Sequence, residues 1–214
     1  MLDIGTVHFP TGQIFACDPL VELEDTLPFL QTIPAGTYPV KICVVPSEQY
    51  GDRYACVKVE VSQEKPVRYE LGMVGNEDLD EELGEDEYFG FGVDAGMGCV
   101  ADIQTQAPSS ILAKRLEEDP DIDPYNDLFC DLLEENAKAY PKYQGDCGDW
   151  LNWTVPGTDC NLPIFASGWG MVTILSTSGM TPRAKSAPCM CGSLTLKPVI
   201  ESRIKNVTEQ RRTL

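Results

Sequence analysis

Short apolar runs separated by turn residues fill the first part of the chain, and this spacing is typical of β-strands. Residues 54–61 show the pattern most clearly, with one face made of Ala55, Val57, Val59 and Val61 and the other of Cys56, Lys58 and Glu60. Further strands are predicted at 13–17, 38–45 and 66–72, and a strand, tight turn and second strand within 88–102. The first hundred residues therefore predict a sheet.

Two helices are predicted after these strands. Ser109 or Ser110 can cap a helix at about 109–118, and Asp123-Pro124 opens a second at about 124–139. The second has an apolar face made of Leu128, Phe129, Leu132 and Leu133. Strands followed by helices, without alternating β-α-β units, indicate an α+β fold with a mainly antiparallel sheet. We expect residues 1–170 to form a single domain.

The charge of the chain limits its partners. The formal net charge is −18, and residues 76–87 include eight acids among twelve residues. Phosphate backbones require lysine and arginine, so non-specific binding to nucleic acid is excluded. The run 76–87 reads as a solvated loop or flap, because it offers little surface to bury. The acidity favours encounter with a basic protein partner, and the alternative is that it only keeps the chain soluble.

The chain shows no membrane or secretory signal. No stretch approaches the roughly 18 apolar residues that span a bilayer. Residues 1–12 have no basic region leading into an apolar run. We therefore expect a soluble, cytoplasmic protein with no membrane partner. Its nine cysteines lack the Cys-x-x-Cys spacing of zinc sites, so we expect reduced, structural thiols.

Four clusters of residues carry a family resemblance. They are Gly12-Gln-Ile-Phe-Ala-Cys-Asp-Pro-Leu20, Pro34-Ala-Gly-Thr-Tyr-Pro-Val40, Gly92-Val-Asp-Ala-Gly-Met-Gly-Cys-Val-Ala-Asp102 and Phe165-Ala-Ser-Gly-Trp-Gly170. In order and spacing, over residues 12–170, they resemble the bacterial family called domain of unknown function 4241. The resemblance implies a shared fold. It implies no activity.

Three aspartates within these clusters are candidate ligands. Asp18 precedes a proline, Asp94 lies between glycine-rich turns, and Asp102 ends an apolar run. Carboxylates suit hard cations, so Asp18, Asp94 and Asp102 could converge on calcium, magnesium or manganese. The alternative is that each hydrogen-bonds the backbone of its own turn. Ser167 and Trp169 complete the candidate polar site, and no catalytic residue is assigned.

The last 44 residues differ from the rest in charge and in pattern. Residues 1–170 contain 32 acidic and 9 basic residues, whereas residues 171–214 contain 2 acidic and 7 basic ones. In the family that the chain resembles, Ser-Gly-Trp-Gly is typically followed by Asp-Gly. The codons GAT GGT TAC TAT CCT, read without their first base, encode Met-Val-Thr-Ile-Leu, which stands at 171–175. We interpret residues 171–214 as frameshifted relative to the family and poorly packed. The alternative is a genuine basic tail that contacts the acidic body.

Two functions follow from these observations. The first is an acidic protein-binding module, similar to an immunity protein, that masks a basic partner. The second is a metal-dependent hydrolase or metal-binding protein that uses Asp18, Asp94 and Asp102. The sequence does not decide whether the protein is an enzyme.

Overall fold

The computed structural model describes residues 1–49, 51–77, 90–108, 125–168, 172–180 and 193–198. The strands in these ranges are β1 (Leu2–Phe9), β2 (Ile14–Cys17), β3 (Gly36–Val45), β4 (Arg53–Glu60), β5 (Arg68–Leu71), β6 (Phe91–Val93), β7 (Met97–Asp102), β8 (Trp150–Thr154), β9 (Asn161–Ala166), β10 (Val172–Met180) and β11 (Ser193–Pro198). A 3-10 turn spans Ile103–Thr105, and residues 106–108 are helical. A π-turn, Tyr125–Phe129, leads into helix α1, Cys130–Ala139.

The strands form two antiparallel sheets. The seven-stranded sheet has the order β1-β3-β4-β11-β10-β5, with β6 also paired to β10. The four-stranded sheet has the order β2-β7-β9-β8. These described elements confirm the predicted α+β fold with mainly antiparallel sheet.

The four-stranded sheet lies between the seven-stranded sheet and α1. One of its faces packs into a core shared with the seven-stranded sheet, through Ile14, Val100 and Phe165. The other face packs against the helix, where Phe15 and Leu162 contact the cluster of Leu133. Consecutive residues of β2 and β7 are therefore buried, because successive side chains of a strand point to opposite faces.

The seven-stranded sheet keeps the alternation that the sequence predicts. Val57 and Val59 of β4 are buried in the shared core, whereas Lys58 and Glu60 form an ion pair on the opposite face. Val59 pairs with Val40 of β3. The predicted strand at 54–61 is confirmed as β4, one residue earlier at each end.

Two strand irregularities change which residues are buried. In β1 the register with β3 shifts between Asp3 and Thr6, so Ile4 and Val7 are both buried although three residues apart. In β4 a shift opposite Cys43 and Val44 inserts Ala55 as an extra residue. Such a bulge reverses the facing of the residues beyond it. Tyr54, which strict alternation would place beside Cys56, therefore faces the core and is 4% exposed.

The predicted second helix is confirmed over its described part. Phe129 and Leu133 are buried against the four-stranded sheet, and Leu128 and Leu132 pack at the edge of the same cluster. Phe129 contacts Trp153 edge to face, with ring centroids 5.1 Å apart. The predicted helix at 109–118 lies outside the described residues. No described helix is long and apolar enough to cross a membrane.

The segment after residue 171 contributes two strands to the seven-stranded sheet. Strand β11 pairs with β4 from Ser193↔Glu60 to Leu196↔Val57, and β10 pairs with β11, β5 and β6. This pairing concerns residues 172–180 and 193–198, and the poor packing expected of the whole segment stays a prediction. The remaining residues of 171–214 lie outside the described ranges. The frameshift itself concerns the coding DNA and stays a prediction.

Candidate functional site

Asp102 ends β7 and is fully buried, at 0% exposure. Its carboxylate accepts hydrogen bonds from the backbone N–H groups of Thr11, Gly12 and Gln104 and from the Thr11 hydroxyl, at 2.8–3.0 Å. A buried carboxylate is costly unless donors compensate it, and here several do. Asp102 thus joins the β1–β2 turn to the 3-10 turn, and losing three or more buried bonds would cost about 3–6 kcal/mol.

Asp18 joins two other turns in the same manner. It follows β2 and is 1% exposed. Its Oδ1 accepts from the Leu20 N–H at 3.0 Å, within its own turn. Its Oδ2 accepts from the N–H groups of Asp94 and Ala95, at 3.0 and 2.7 Å. Asp18 therefore holds the β6–β7 turn in place as well as its own.

The three candidate aspartates do not converge. Asp102 pairs with Ile14 at one end of the β2–β7 ladder. Asp18 follows the other end of β2, four residues after Ile14. At about 3.3 Å per residue, the two aspartates lie about 13 Å apart. The residue Asp94 is exposed. Among the described residues, no group of three His, Cys, Asp or Glu side chains could hold a metal ion. The calcium, magnesium or manganese site expected at Asp18, Asp94 and Asp102 is therefore not formed by them.

A polar cavity of about 350 Å³ lies where the two sheets meet. We name it the interlayer pocket, and its walls are Asp52, Arg53, Tyr54, Gly96, Asp149, Ala166, Ser167 and Gly168. Ser167, a predicted site residue, is buried in its wall, at 3% exposure. Trp169, the other residue predicted from the same cluster, lies outside the described residues.

Backbone contacts fix the walls of the interlayer pocket. The Ser167 N–H donates to the Gly96 carbonyl at 2.9 Å, and the Ala166 N–H donates to the Asp149 carbonyl at 2.7 Å. Gly168 has a φ of +84°, and a Cβ there would lie 2.4 Å from the Tyr54 carbonyl oxygen. Only glycine fits this approach of the two sheets. The walls of the cavity are therefore held by the backbone of the fold itself.

Tyr54 is one of the pocket residues that the sequence interpretation missed, together with Asp52, Arg53 and Asp149. The bulge at Ala55 turns its ring inward, where its hydroxyl donates to the Tyr143 carbonyl at 2.9 Å. Burial raises the pKa of Tyr54 well above its ordinary value, and the nearby carboxylates of Asp149 and Asp52 raise it further. The hydroxyl is therefore protonated at neutral pH. In the sequence, the one signal for a buried, hydrogen-bonded Tyr54 is its polar ring at the start of an otherwise apolar strand face.

A second cavity, of about 340 Å³, combines acidic and apolar side chains. We name it the acidic pocket; its carboxylates are Glu22, Asp25 and Glu77, and its large apolar walls are Leu27, Phe29, Val74 and Phe91. Two hydrogen bonds join the loop after β2 to the end of β5 and the segment that follows it. The Leu30 N–H donates to the Met73 carbonyl at 2.7 Å, and Gln31 Nε2 donates to the Leu71 carbonyl at 2.8 Å.

Glu77 is held at the start of the acidic run. Its carboxylate accepts from the backbone N–H groups of Val74 and Gly75, both at 2.7 Å. Burial raises its pKa, but these and neighbouring backbone hydrogen bonds outweigh burial and leave the pKa below its usual value. Glu77 is therefore ionised at neutral pH. Gly90 lines the same pocket. Of the loop or flap predicted at 76–87, residues 78–87 lie outside the described residues.

The described cysteines include one close buried pair. Cys17 and Cys99 lie opposite each other in β2 and β7, with their Sγ atoms 3.6 Å apart, and both are free thiols. Burial raises the pKa of Cys99, and the neighbouring Cys17 adds to the effect. This thiol is therefore a core group rather than a nucleophile.

The comparison with known families agrees with the clusters in the sequence. Residues 7–171 match the model of a family described as "Protein of unknown function (DUF4241)". The chain belongs to this family. No curated protein and no solved structure matches it. Three of the four clusters meet at or beside the interlayer pocket, since Asp18 holds the turn that contains Gly96, and Ser167 bonds to Gly96.

Proposed function

We propose that this DUF4241 protein is an intracellular, non-enzymatic binding module that masks a basic protein partner. The acidic pocket carries the proposal, because three acidic residues line a cavity that also has large apolar side chains, at the point where the eight-acid run begins. Lysine and arginine pack their carbon chains on apolar surface while their charged ends reach carboxylates. A basic side chain of the partner fits both features.

Two of the three acidic residues of this pocket, Glu22 and Asp25, are exposed. The ion pairs Lys41–Glu60, Lys58–Glu60, Arg68–Glu70 and Lys138–Glu134 include none of the three. Residues 1–170 carry 32 acids against 9 bases. A field of one sign accelerates encounter with a partner of the opposite sign and makes binding sensitive to salt.

A metal-dependent hydrolase has less support. It requires Asp18, Asp94 and Asp102 to share one ion, whereas Asp18 and Asp102 each hold backbone turns at opposite ends of the β2–β7 ladder. Both carboxylates already accept several hydrogen bonds. We therefore propose binding rather than metal-dependent hydrolysis.

The test is a pull-down from the source cells at low salt with three baits. The baits are the wild type, the double variant Glu22→Gln/Asp25→Asn, and the control Glu48→Gln/Asp159→Asn, which removes two exposed acids elsewhere. Glu77 is left intact because it supports a turn. We expect a basic protein that the wild type and the control retain, with an affinity about tenfold weaker for the acidic-pocket variant.

Two results of the pull-down would contradict the proposal, and a third would contradict its electrostatic basis. One is that no basic protein is retained by the wild type at low salt. The other is that the retained protein binds the acidic-pocket variant as tightly as the control. A complex that persists unchanged in high salt would also exclude the electrostatic mechanism.

A further inference from the structure

We infer that the interlayer pocket is a binding site for a small zwitterion of the amino-acid type, with an ammonium group at Asp52 and Asp149 and a carboxylate at Arg53. The pocket is distinct from the acidic pocket, because the two cavities share no wall residue. The inference is therefore independent of the protein-binding function proposed above.

The walls of the pocket include residues of both charges next to strands of the two sheets. Asp52 and Arg53 stand at the start of β4, and Asp149 directly precedes β8. The two sheets thus place carboxylates and a guanidinium around one cavity. Its volume, about 350 Å³, falls at the lower end of the range of about 300–1,000 Å³ that holds small ligands.

Asp52 and Asp149 line the same cavity as Tyr54. Besides burial, both carboxylates raise the pKa of the Tyr54 hydroxyl. Asp149 uses Oδ2 to accept from the Gly145 N–H, and no described donor contacts its Oδ1. None of the ion pairs between described residues includes Asp52 or Asp149. An ammonium group supplies the donors and the charge that these carboxylates attract.

The remaining walls favour a compact polar ligand. Gly96 has a φ of +81°, and a Cβ there would meet nothing within 4 Å, so the cavity is open over its backbone. Ser167 and Tyr54, which are also polar, line the same cavity. Few of the lining side chains are apolar, which disfavours a hydrophobic ligand. Arg53 presents the geometry that recognises a planar carboxylate.

The experiment uses the full chain and free amino acids as probes. The melting temperature is measured with each of the common L-amino acids, and hits are titrated by calorimetry. Matched probes with one charge are ethylamine and acetate. We expect at least one zwitterion to bind saturably and to bind more tightly than either single-charge probe.

Variants assign the binding to this pocket. We expect Asp149→Asn and Asp52→Asn each to weaken binding about tenfold, while Asp159→Asn, an exposed acid elsewhere, leaves it unchanged. Asp52 is exposed, so its variant keeps the test valid if Asp149→Asn fails to fold. No saturable binding of any amino acid, or binding that both pocket variants leave intact, would overturn the inference. Failure here leaves the pull-down result unaffected, because Glu22 and Asp25 line only the acidic pocket.

Discussion

Among the described residues, the two sheets differ in how many of their faces are covered, and they also differ in where their strands come from along the chain. The four-stranded sheet is covered on both faces, by the seven-stranded sheet and by α1, and its strands fall within residues 14–166. The seven-stranded sheet shows charged residues such as Lys58 and Glu60 on its outer face. It also draws β10 and β11 from the segment beyond the family match at residue 171.

This difference shows how one chain uses two strand patterns. A strand between two layers reads as a continuous apolar run, as in Ile14-Phe15-Ala16-Cys17. A strand with one covered face reads as an alternation, as in Val57-Lys58-Val59-Glu60. Gly96, Asp149 and Ser167, which adjoin strands of the four-stranded sheet, line one side of the interlayer pocket. Tyr54 of the seven-stranded sheet lines the other.

The largest expected effect is on the outer sheet, from a deletion of residues 171–214. The deletion removes the pairing partners of β5 and β6 and one neighbour of β4. We expect loss of cooperative unfolding, because the loss is comparable with a typical folding free energy of about 5–15 kcal/mol. Urea unfolding followed by circular dichroism measures it.

A shorter deletion, of residues 199–214, is the matched control, because it keeps β11, which ends at Pro198. We expect it to unfold cooperatively. If the 171–214 deletion instead kept the midpoint of the full chain, the segment would be dispensable, as the frameshift interpretation predicts. Sequencing the coding DNA across the Gly170 codon checks that interpretation directly.

The next effect compares neighbouring residues within each sheet. In β2 we expect both Ile14→Ala and Phe15→Ala to lower the free energy of unfolding, by about 2–5 kcal/mol each, because each fills a different core. In β4 we expect Val57→Ala to cost about 1–3 kcal/mol and Lys58→Ala less than about 1. Equal costs at Val57 and Lys58, or a neutral Ile14→Ala, would contradict the layer arrangement.

The smallest effect is the pH dependence of the outer face. Glu60 has a lowered pKa, through hydrogen bonds from Lys41 and Lys58. A lowered folded-state pKa stabilises the fold above the unfolded pKa, about 4.3, and this stability disappears as the pH falls through the folded value. We expect Glu60→Gln to cost about 0.2–1 kcal/mol at pH 7 and nothing near pH 3.

Urea unfolding of the wild type and Glu60→Gln between pH 7 and 3 provides the measurement. Glu48→Gln removes an exposed acid elsewhere and should show no such dependence. A constant difference between wild type and Glu60→Gln across this range would show that the ion pairs contribute nothing to it.

Local patterns predicted much of the fold, and local exceptions account for what was missed. The strand at 54–61 and the second helix follow from periodicity. The strand β1 was not predicted, because its irregularity between Asp3 and Thr6 places Ile4 and Val7 out of alternation. Tyr54 was missed for the same reason, since one extra residue reverses its facing.

The candidate aspartates show a different limit of the sequence. Asp18 and Asp102 each bond the backbone of their own turn, as the alternative expected, but they also accept from donors 77 and 91 residues away in the chain. The sequence reveals a residue type at a turn, and it does not reveal which distant turn supplies the donors. Hydrogen bonds between turns decided the role of these carboxylates.

The sequence alone determined the strand and helix types, the acidity and the family, because each depends on residues that are close in the chain or on composition. The tertiary structure alone decided which strands share a sheet, which aspartates meet which backbone donors, and where cavities lie. These depend on contacts between segments such as β4 and β9, whose approach at Tyr54 and Gly168 is set by packing of two layers. Packing of distant segments leaves no period in the sequence.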